Sequence, residues 1–387
     1  MSLYDATPGS TGGAVAPPLP RSTETLAAAE EKRYGLSQWQ LMARKFSRSR
    51  VAIGAGIVVG LFYLVAALAP FIAPYGADQR FVTYLYVPPQ FPRWESGTGL
   101  YVYALERKVD LDTLLTTYRP EPTQKYPILF FVHGEPYRLL GFIDTDIHLY
   151  GIDAKDFGAF FFGTDRQGRD MLSRIVLGSQ LSLTIGLVGV FLSLIVGSIV
   201  GVASGYYGGT IDNITQRTIE VIRSFPSIPL WMALTAALPY HWPPERVYFA
   251  ITIILSFIGW TWLARQLRGK ILAIREEDFV VAAQLAGATD MWIIFRHLIP
   301  AVFSHIIVVA TLAMPGMILA ETALSFLNLG LRPPLTSWGV ILQEAQNLES
   351  LRHYPWLLLP ALFISLAVLA FNFFGDGLRD ASDPYSG

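Results

Sequence analysis

No cysteine occurs among the 387 residues, so the chain has no disulfide framework, no thiolate metal site and no cysteine nucleophile. Charge is scarce as well. Asp, Glu, Lys and Arg make up 15% of the chain, where soluble domains carry about 25%. The 29 basic and 30 acidic residues leave a formal net charge of −1, without the basic excess of a nucleic-acid binder. The signatures of chemistry are missing too: there is no Walker A loop, dinucleotide glycine fingerprint, His-Glu-x-x-His pair or Gly-x-Ser-x-Gly elbow. No internal repeat is visible. The chain is filled instead by apolar residues, 52% of the total, with a mean hydropathy of +0.40. That composition belongs to a membrane protein.

Six apolar runs are long enough to span, since ~20 residues at 1.5 Å each cover a ~30 Å hydrocarbon core. They lie at 51–72, 181–204, 211–238, 249–267, 301–324 and 354–374. The third carries Arg217, Glu220 and Arg223 ahead of Pro226 and Pro229; the fifth carries a kink signal at Pro315 and Gly316, with Glu321 near its outer end. Ionisable groups inside a span face a cavity, a bundle interior or the headgroups. Arg217 and Glu220 fit the water boundary, whereas Arg223 beside a proline break, with Pro226 and Glu321, is the candidate for a translocation pathway. Arg44 to Arg50 precede the first span, and Arg265, Arg268, Lys270 and Arg275 follow the fourth, which places both termini in the cytoplasm by the positive-inside rule. The expected fold class is thus an all-α polytopic membrane protein of about six transmembrane helices.

Outside the spans, residues 1–35 are rich in Gly, Pro, Ser and Thr and read as a disordered cytoplasmic tail. Residues 36–50 alternate Leu36, Trp39, Met42 and Phe46 with basic side chains, an interfacial helix leading into the first span, so that 36–72 forms one unit. Residues 73–162 form a β-rich extracytoplasmic insertion between the first two spans. Its strand candidates are YVYALERKV, KYPILFFVHG and YRLLGFID. Asp144, Asp146, His148, Asp153 and Asp156 lack the spacing of a calcium loop and read as solvated loop acids. GTDRQGRD at 163–170 has two glycines at P-loop separation, but Arg169 and Asp170 stand where Lys and Ser/Thr must reach phosphate and Mg²⁺, so it is no nucleotide site. The permease core is expected over 163–387.

The stretch at 275–300, REEDFVVAAQLAGATDMWIIFRHLIP, is shaped to touch another protein. Glu276, Glu277 and Asp278 put negative charge where a helix would begin. Ala282, Ala283 and Ala286 make one small-residue surface, and Gly287 falls where a C-terminal cap takes the left-handed conformation. Thr289 or Asp290 caps a second short helix, 291–298, and Pro300 opens the apolar helix after it.

Ala282, Ala283 and Gly287, followed at the family spacing by Ile299 and Pro300, resemble the EAA loop of the membrane subunits of binding-protein-dependent ABC importers. Val281 stands where that motif has Glu, and His297 where it has an aliphatic residue; the dipeptide and oligopeptide branch tolerates both. GTDRQGRDMLSRIVLGSQLSL, AETALSFLNLGLRPPLTSWGVIL and FNFFGDGLRDASDP resemble three further stretches of that branch, in the same order. The resemblance covers most of the chain.

The resemblance implies a non-catalytic bacterial inner-membrane subunit, of the C type, that pairs with a second homologous permease. Glu277, Ala282, Ala283, Gly287, Asp290 and Pro300 would dock on two cytoplasmic ATPase subunits or domains, which bind the ATP and Mg. The chain itself would bind no cofactor or metal. A substrate-binding protein would deliver the solute, a peptide or else a nickel chelate, oligosaccharide or opine. The segment with Pro333, Pro334 and Trp338 would cover the outer mouth. From another class, an ion-coupled secondary transporter would need carboxylates or histidines at mid-membrane and often repeats, which the spans scarcely offer. An intramembrane enzyme ranks last, without a nucleophile or metal cluster to carry it.

Overall fold

Residues 38–109, 116–154 and 156–382 are described by the computed structural model, so the tail expected over 1–35 lies outside them. Helices α1 (Gln38–Phe46), α2 (Arg50–Ala67) and α3 (Ala69–Ile72) lead into strands β1 (Arg93–Glu95), β2 (Gly99–Val109), β3 (Thr116–Leu139) and β4 (Ile143–Ile152). Then come α4 (Met171–Tyr207), α5 (Gly209–Ser224), α6 (Ser227–Ala236), α7 (Pro244–Ile274), α8 (Asp278–Leu285), α9 (Asp290–Ile293) and α10 (Ile299–Phe326). The chain closes with α11 (Trp338–Leu342), α12 (Leu348–His353) and α13 (Leu359–Ser382).

Among the described residues, five stretches are long and apolar enough to cross a membrane: Arg50–Ala67, Met171–Tyr207, Pro244–Ile274, Asp290–Phe326 and Pro355–Ser382. The run at 211–238, expected as one span, is broken in two. Phe225 and Pro226 are extended between α5 and α6. The cause is local, because the proline ring disfavours a helical conformation in the residue before it.

Packing nevertheless requires α5 and α6 to carry the chain across. Helices α4 and α7 lie parallel: a Cβ added at Gly189, Gly197, Gly201 or Gly205 would meet Ser256, Leu263, Ala264 or Ile271 in turn. Two long helices in succession are parallel only if the segment between them runs back, so α5 with α6 is the sixth crossing. Those glycines, with Ser193 between them, form the small-residue stripe that lets membrane helices approach closely where no hydrophobic effect drives them together. Helix α10 is antiparallel to α4, with Ile318 against Gly186 and Glu321 against Ser182. Helix α13 is antiparallel to α2, with Phe374 against Gly56 and the Phe371 ring 6.2 Å from that of Tyr63. One end of the bundle therefore gathers α1, the α4–α5 corner, the α7–α10 connector and the end of α13. The other end carries the sheet.

That sheet is an antiparallel meander in the order β1-β2-β3-β4. YRLLGFID, expected as a strand, is instead the β3–β4 hairpin. Leu140 and Gly141 turn it with φ of +53° and +84°. Of the acids expected on a loop, Asp153 and Asp156 are there and exposed, but Asp144 and Asp146 sit on β4: Arg138 Nε donates to Asp144 at 3.0 Å, and His133 Nδ1 meets Asp146 Oδ2 at 3.0 Å, both pairs exposed. Buried His148 ties the sheet to the membrane end, its two ring nitrogens 2.7 Å from Ala73 O and 3.1 Å from Glu135 O.

GTDRQGRD folds into a turn locked by charge rather than a phosphate cradle. Asp165 Oδ1 accepts from the N–H groups of Gln167 and Arg169 at 2.7 and 2.9 Å. Its Oδ2 takes Arg169 Nε at 2.6 Å and an Arg174 guanidinium nitrogen at 2.5 Å. A second Arg169 nitrogen reaches Glu344 at 2.9 Å. Gly168 is required here, with φ +75° and the Phe81 carbonyl 2.2 Å from where a Cβ would stand. This anchor explains why α4 starts at Met171 instead of 181. Its 37 residues run about 56 Å at 1.5 Å each, well beyond a ~30 Å core, and Asp170 caps it by accepting from Ser173 N at 2.7 Å.

The candidate coupling surface and translocation cavity

The 275–300 connector forms a helix, a turn and a helix, with one face held and one face free. Glu277 is the N-cap of α8, and its carbonyl accepts from Val280 N at 2.9 Å; its side chain makes no capping bond. At the far end, Ala288 N donates to Ala283 O at 3.1 Å and Gly287 N to Gln284 O at 3.0 Å, a Schellman cap. Gly287 holds the left-handed φ of +77° that the cap demands. Thr289 makes the next cap, accepting from Trp292 N. The second short helix expected over 291–298 is not separate. Helix α9 runs through one wide turn at Ile294–Leu298 into α10. The Pro300 ring clashes with the carbonyl four residues back in a regular helix, and a widened turn just before it relieves that contact.

Val280, Ile293, Ile294 and Leu298 form the held face, packed with Val202 of α4 and Leu267 and Ile271 of α7. Tyr206, near the C-terminal end of α4, donates to Asp290 Oδ1 at 2.9 Å and lies 3.5 Å from Gln284 Nε2, so one side chain touches both arms of the connector. Ala282, Ala286 and Gly287 face solvent, while Ala283 is half-buried against the held face. Beside them stand apolar groups that the motif did not single out: Leu285, 86% exposed, with Met291 and Trp292. Their signal was available, since large apolar side chains flank the Gly turn with no bilayer to enter. His297, the departure from the aliphatic pattern, fills the gap between the rings of Phe279 and Trp292, at 6.0 and 4.8 Å.

At mid-bundle the α5–α6 break opens a cavity of about 580 Å³ walled by α4, α7 and α10. Arg223 and Pro226 both line it, with Phe225, Trp231, Trp262 and Met317. A cation held at the bilayer centre costs roughly 2.5–3.5 kcal/mol even on insertion scales, so its position needs an occupant, water or solute. Glu321 is not brought to this cavity. It is fully buried further along α10 toward the sheet-bearing end, accepting from Ser325 and Ser337 at 2.7 Å each and lying 3.4 Å from Ser182 Oγ. Trp338, expected over the outer mouth, is buried beside it, donating from Nε1 to Ile175 O at 2.9 Å. Helix α10 runs on through Pro315 and Gly316, where a kink was expected, to Phe326, and Gly316 lines the cavity.

A six-crossing α-helical bundle with an exposed apolar connector at one end and a mid-membrane cavity is a polytopic transport subunit. Residues 170–385 match the binding-protein-dependent transport system inner membrane component family, and residues 37–89 match the N-terminal transmembrane domain of oligopeptide transport permease C. The chain belongs to the first of these families, whose members are non-catalytic, multi-pass inner-membrane subunits of ABC importers. It is 30% identical over 367 residues to the oligopeptide transport system permease protein OppC of Escherichia coli K12, covering 94% of this chain and 97% of that one. The corresponding protein of Haemophilus influenzae is 40% identical over 242 residues, 62% of this chain and 75% of its own length. The dipeptide transport system permease protein DppC of Lactococcus lactis is 38% identical over 242 residues, 62% of this chain and 68% of its own.

Proposed function

We propose that this chain is one of two homologous permeases lining the pathway of an ATP-driven importer for di- and oligopeptides. The observation that carries the reading is the connector: one face is packed into the ends of α4 and α7, and the other presents Ala282, Ala286, Gly287, Leu285 and Met291 to solvent. A partner ATPase docked there moves the bundle through rigid contacts rather than through a loop. Glu277, Ala282, Ala283, Gly287, Asp290 and Pro300 belong to that docking region. Two cytoplasmic ATPase subunits or domains supply ATP and Mg, a substrate-binding protein delivers solute to the sheet-bearing end, and both termini lie in the cytoplasm. The basic clusters at Arg44–Arg50 and Arg265–Arg275 support this orientation, since they share the connector's end. Peptide as the solute rests on the names of the relatives; a nickel chelate, oligosaccharide or opine would use the same machinery.

Mass spectrometry of what co-purifies with the tagged chain, expressed with its neighbouring genes, tests the reading. A homologous permease and P-loop ATPases in stoichiometric amounts are expected. A chain that purifies alone or as a homodimer contradicts it and favours an ion-coupled transporter.

A further inference from the structure

Arg223 is the one ionisable side chain among the residues that line the mid-bundle cavity. Among the described residues it has no ion-pair partner, whereas Arg217 on the same helix meets Glu220 at 2.8 Å and Arg268 meets Asp212 at 2.5 Å. The cavity wall around it is aromatic and apolar, from Phe225, Trp231, Trp262 and Met317, and holds no carboxylate. Helix α6 starts at the same break. Its first-turn N–H groups at Ser227 and Ile228 have no acceptor within the helix, and its positive end falls at the cavity. Trp231 adds an indole Nε1 in the cavity wall that is buried without a hydrogen-bond partner. The unused side-chain nitrogens here, on Arg223 and Trp231, are donors, and no carboxylate stands opposite them. A cation in the last turn of α5 would suit that helix end anywhere on its surface; a shared cavity with the start of α6 is a further arrangement.

We propose that Arg223, with the N-terminal turn of α6, binds the carboxylate of the transported solute midway across the membrane. This rests on the importer reading and deepens it: the pathway takes solutes with a free carboxylate and apolar side chains. The planar guanidinium accepts a carboxylate in a two-bond fork, and a helix N-terminus completes an anion site. Phe225, Trp231 and Trp262 cover the solute's apolar part. No carboxylate lines the cavity to pair with an ammonium end, so the carboxyl end is the one held.

The test is uptake by the complete transport complex in cells of labelled trialanine and of trialanine amide, which lacks the carboxylate, by wild type, Arg223→Gln and Arg223→Lys. Taking the variant-to-wild-type ratio for each compound cancels the binding protein's own preference. Arg223→Gln should cut trialanine uptake by about tenfold or more, the scale of a lost charge-assisted pair, and leave amide uptake within about twofold. Arg223→Lys, keeping the charge without the fork, should recover part of the loss on trialanine. Where wild type carries only trialanine, that recovery decides: its presence supports the site and its absence overturns it. Equal loss on both compounds would assign Arg223 to gating or assembly and overturn the proposal, as would no loss on either. Wild type that carries neither compound contradicts the peptide reading, and this proposal with it; the co-purification result separates that outcome from failure of the importer assignment.

Discussion

Arg174 reaches back nine residues to Asp165, a guanidinium nitrogen lying 2.5 Å from Oδ2, with both side chains almost wholly shielded from water. Glu344, on the segment after α11, lies 3.5 Å from the same nitrogen, so two stretches distant in the sequence share one charge network. Removing one member of a buried pair leaves its partner uncompensated, which costs roughly 3–5 kcal/mol. Asp165→Leu should therefore lower the thermal midpoint of the detergent-purified complex strongly. Arg138→Ala, which breaks an exposed pair, should move it little, by ~0–1 kcal/mol.

Asp170 gives a pH dependence. Burial pushes its carboxyl up to about 7 from an ordinary 3.8, partly offset by hydrogen bonds from Ser173. Between those two values the folded protein keeps a proton that the unfolded chain has released, so stability falls as pH rises from about 4 to about 7. Asp170→Asn still accepts from Ser173 and should flatten that decline in melts taken across the range. An unchanged slope would place the titration elsewhere.

On the connector, stability and coupling should separate. Leu285 is 86% exposed, so Leu285→Ala should leave the melting temperature of the chain nearly unchanged while reducing co-purified ATPase. Ala282→Glu, on the solvent face, should also weaken docking while membrane insertion stays normal. Gly287 has nothing within 4 Å of an added Cβ but holds φ +77°, so the cost of Gly287→Val is backbone strain of about 1–2 kcal/mol. Gly287→Asn should be milder, because Asn tolerates that conformation.

Close helix approach is testable at Gly201, where an added Cβ would lie 2.6 Å from the Ala264 carbonyl oxygen, a backbone atom that cannot swing aside. Gly201→Val should destabilise the bundle by roughly 1–3 kcal/mol. Gly60→Val on α2, where nothing lies within 4 Å, is the control and should fold normally.

Local chemistry explains what could be read from the sequence. Gly287 as a left-handed stop and a Thr289 cap follow from residue type and spacing alone, and five of the apolar runs announce their helices by length. Pro226 predicted trouble within the third run, but only the parallel packing of α4 and α7 shows that its two halves still cross. The stripe from Gly189 to Gly205 was visible at four-residue spacing, yet its meaning depends on which helix lies opposite. Glu321 reads as a pathway group because it is a lone carboxylate in a span; that three serines from separate positions in the sequence, Ser182, Ser325 and Ser337, surround it is visible only in the fold. The β3–β4 turn was hidden for a related reason. Leu140 and Phe142 are apolar strand formers, and the turn rests on Gly141 and a left-handed Leu140.

The most direct test of the account is uptake of labelled trialanine into proteoliposomes holding the whole complex, with the binding protein on the outside and nucleotide trapped within. Uptake should require hydrolysable ATP, fail with a non-hydrolysable analogue and persist when ionophores collapse every ion gradient. Uptake that ignores ATP and disappears with the ionophores would contradict the importer assignment.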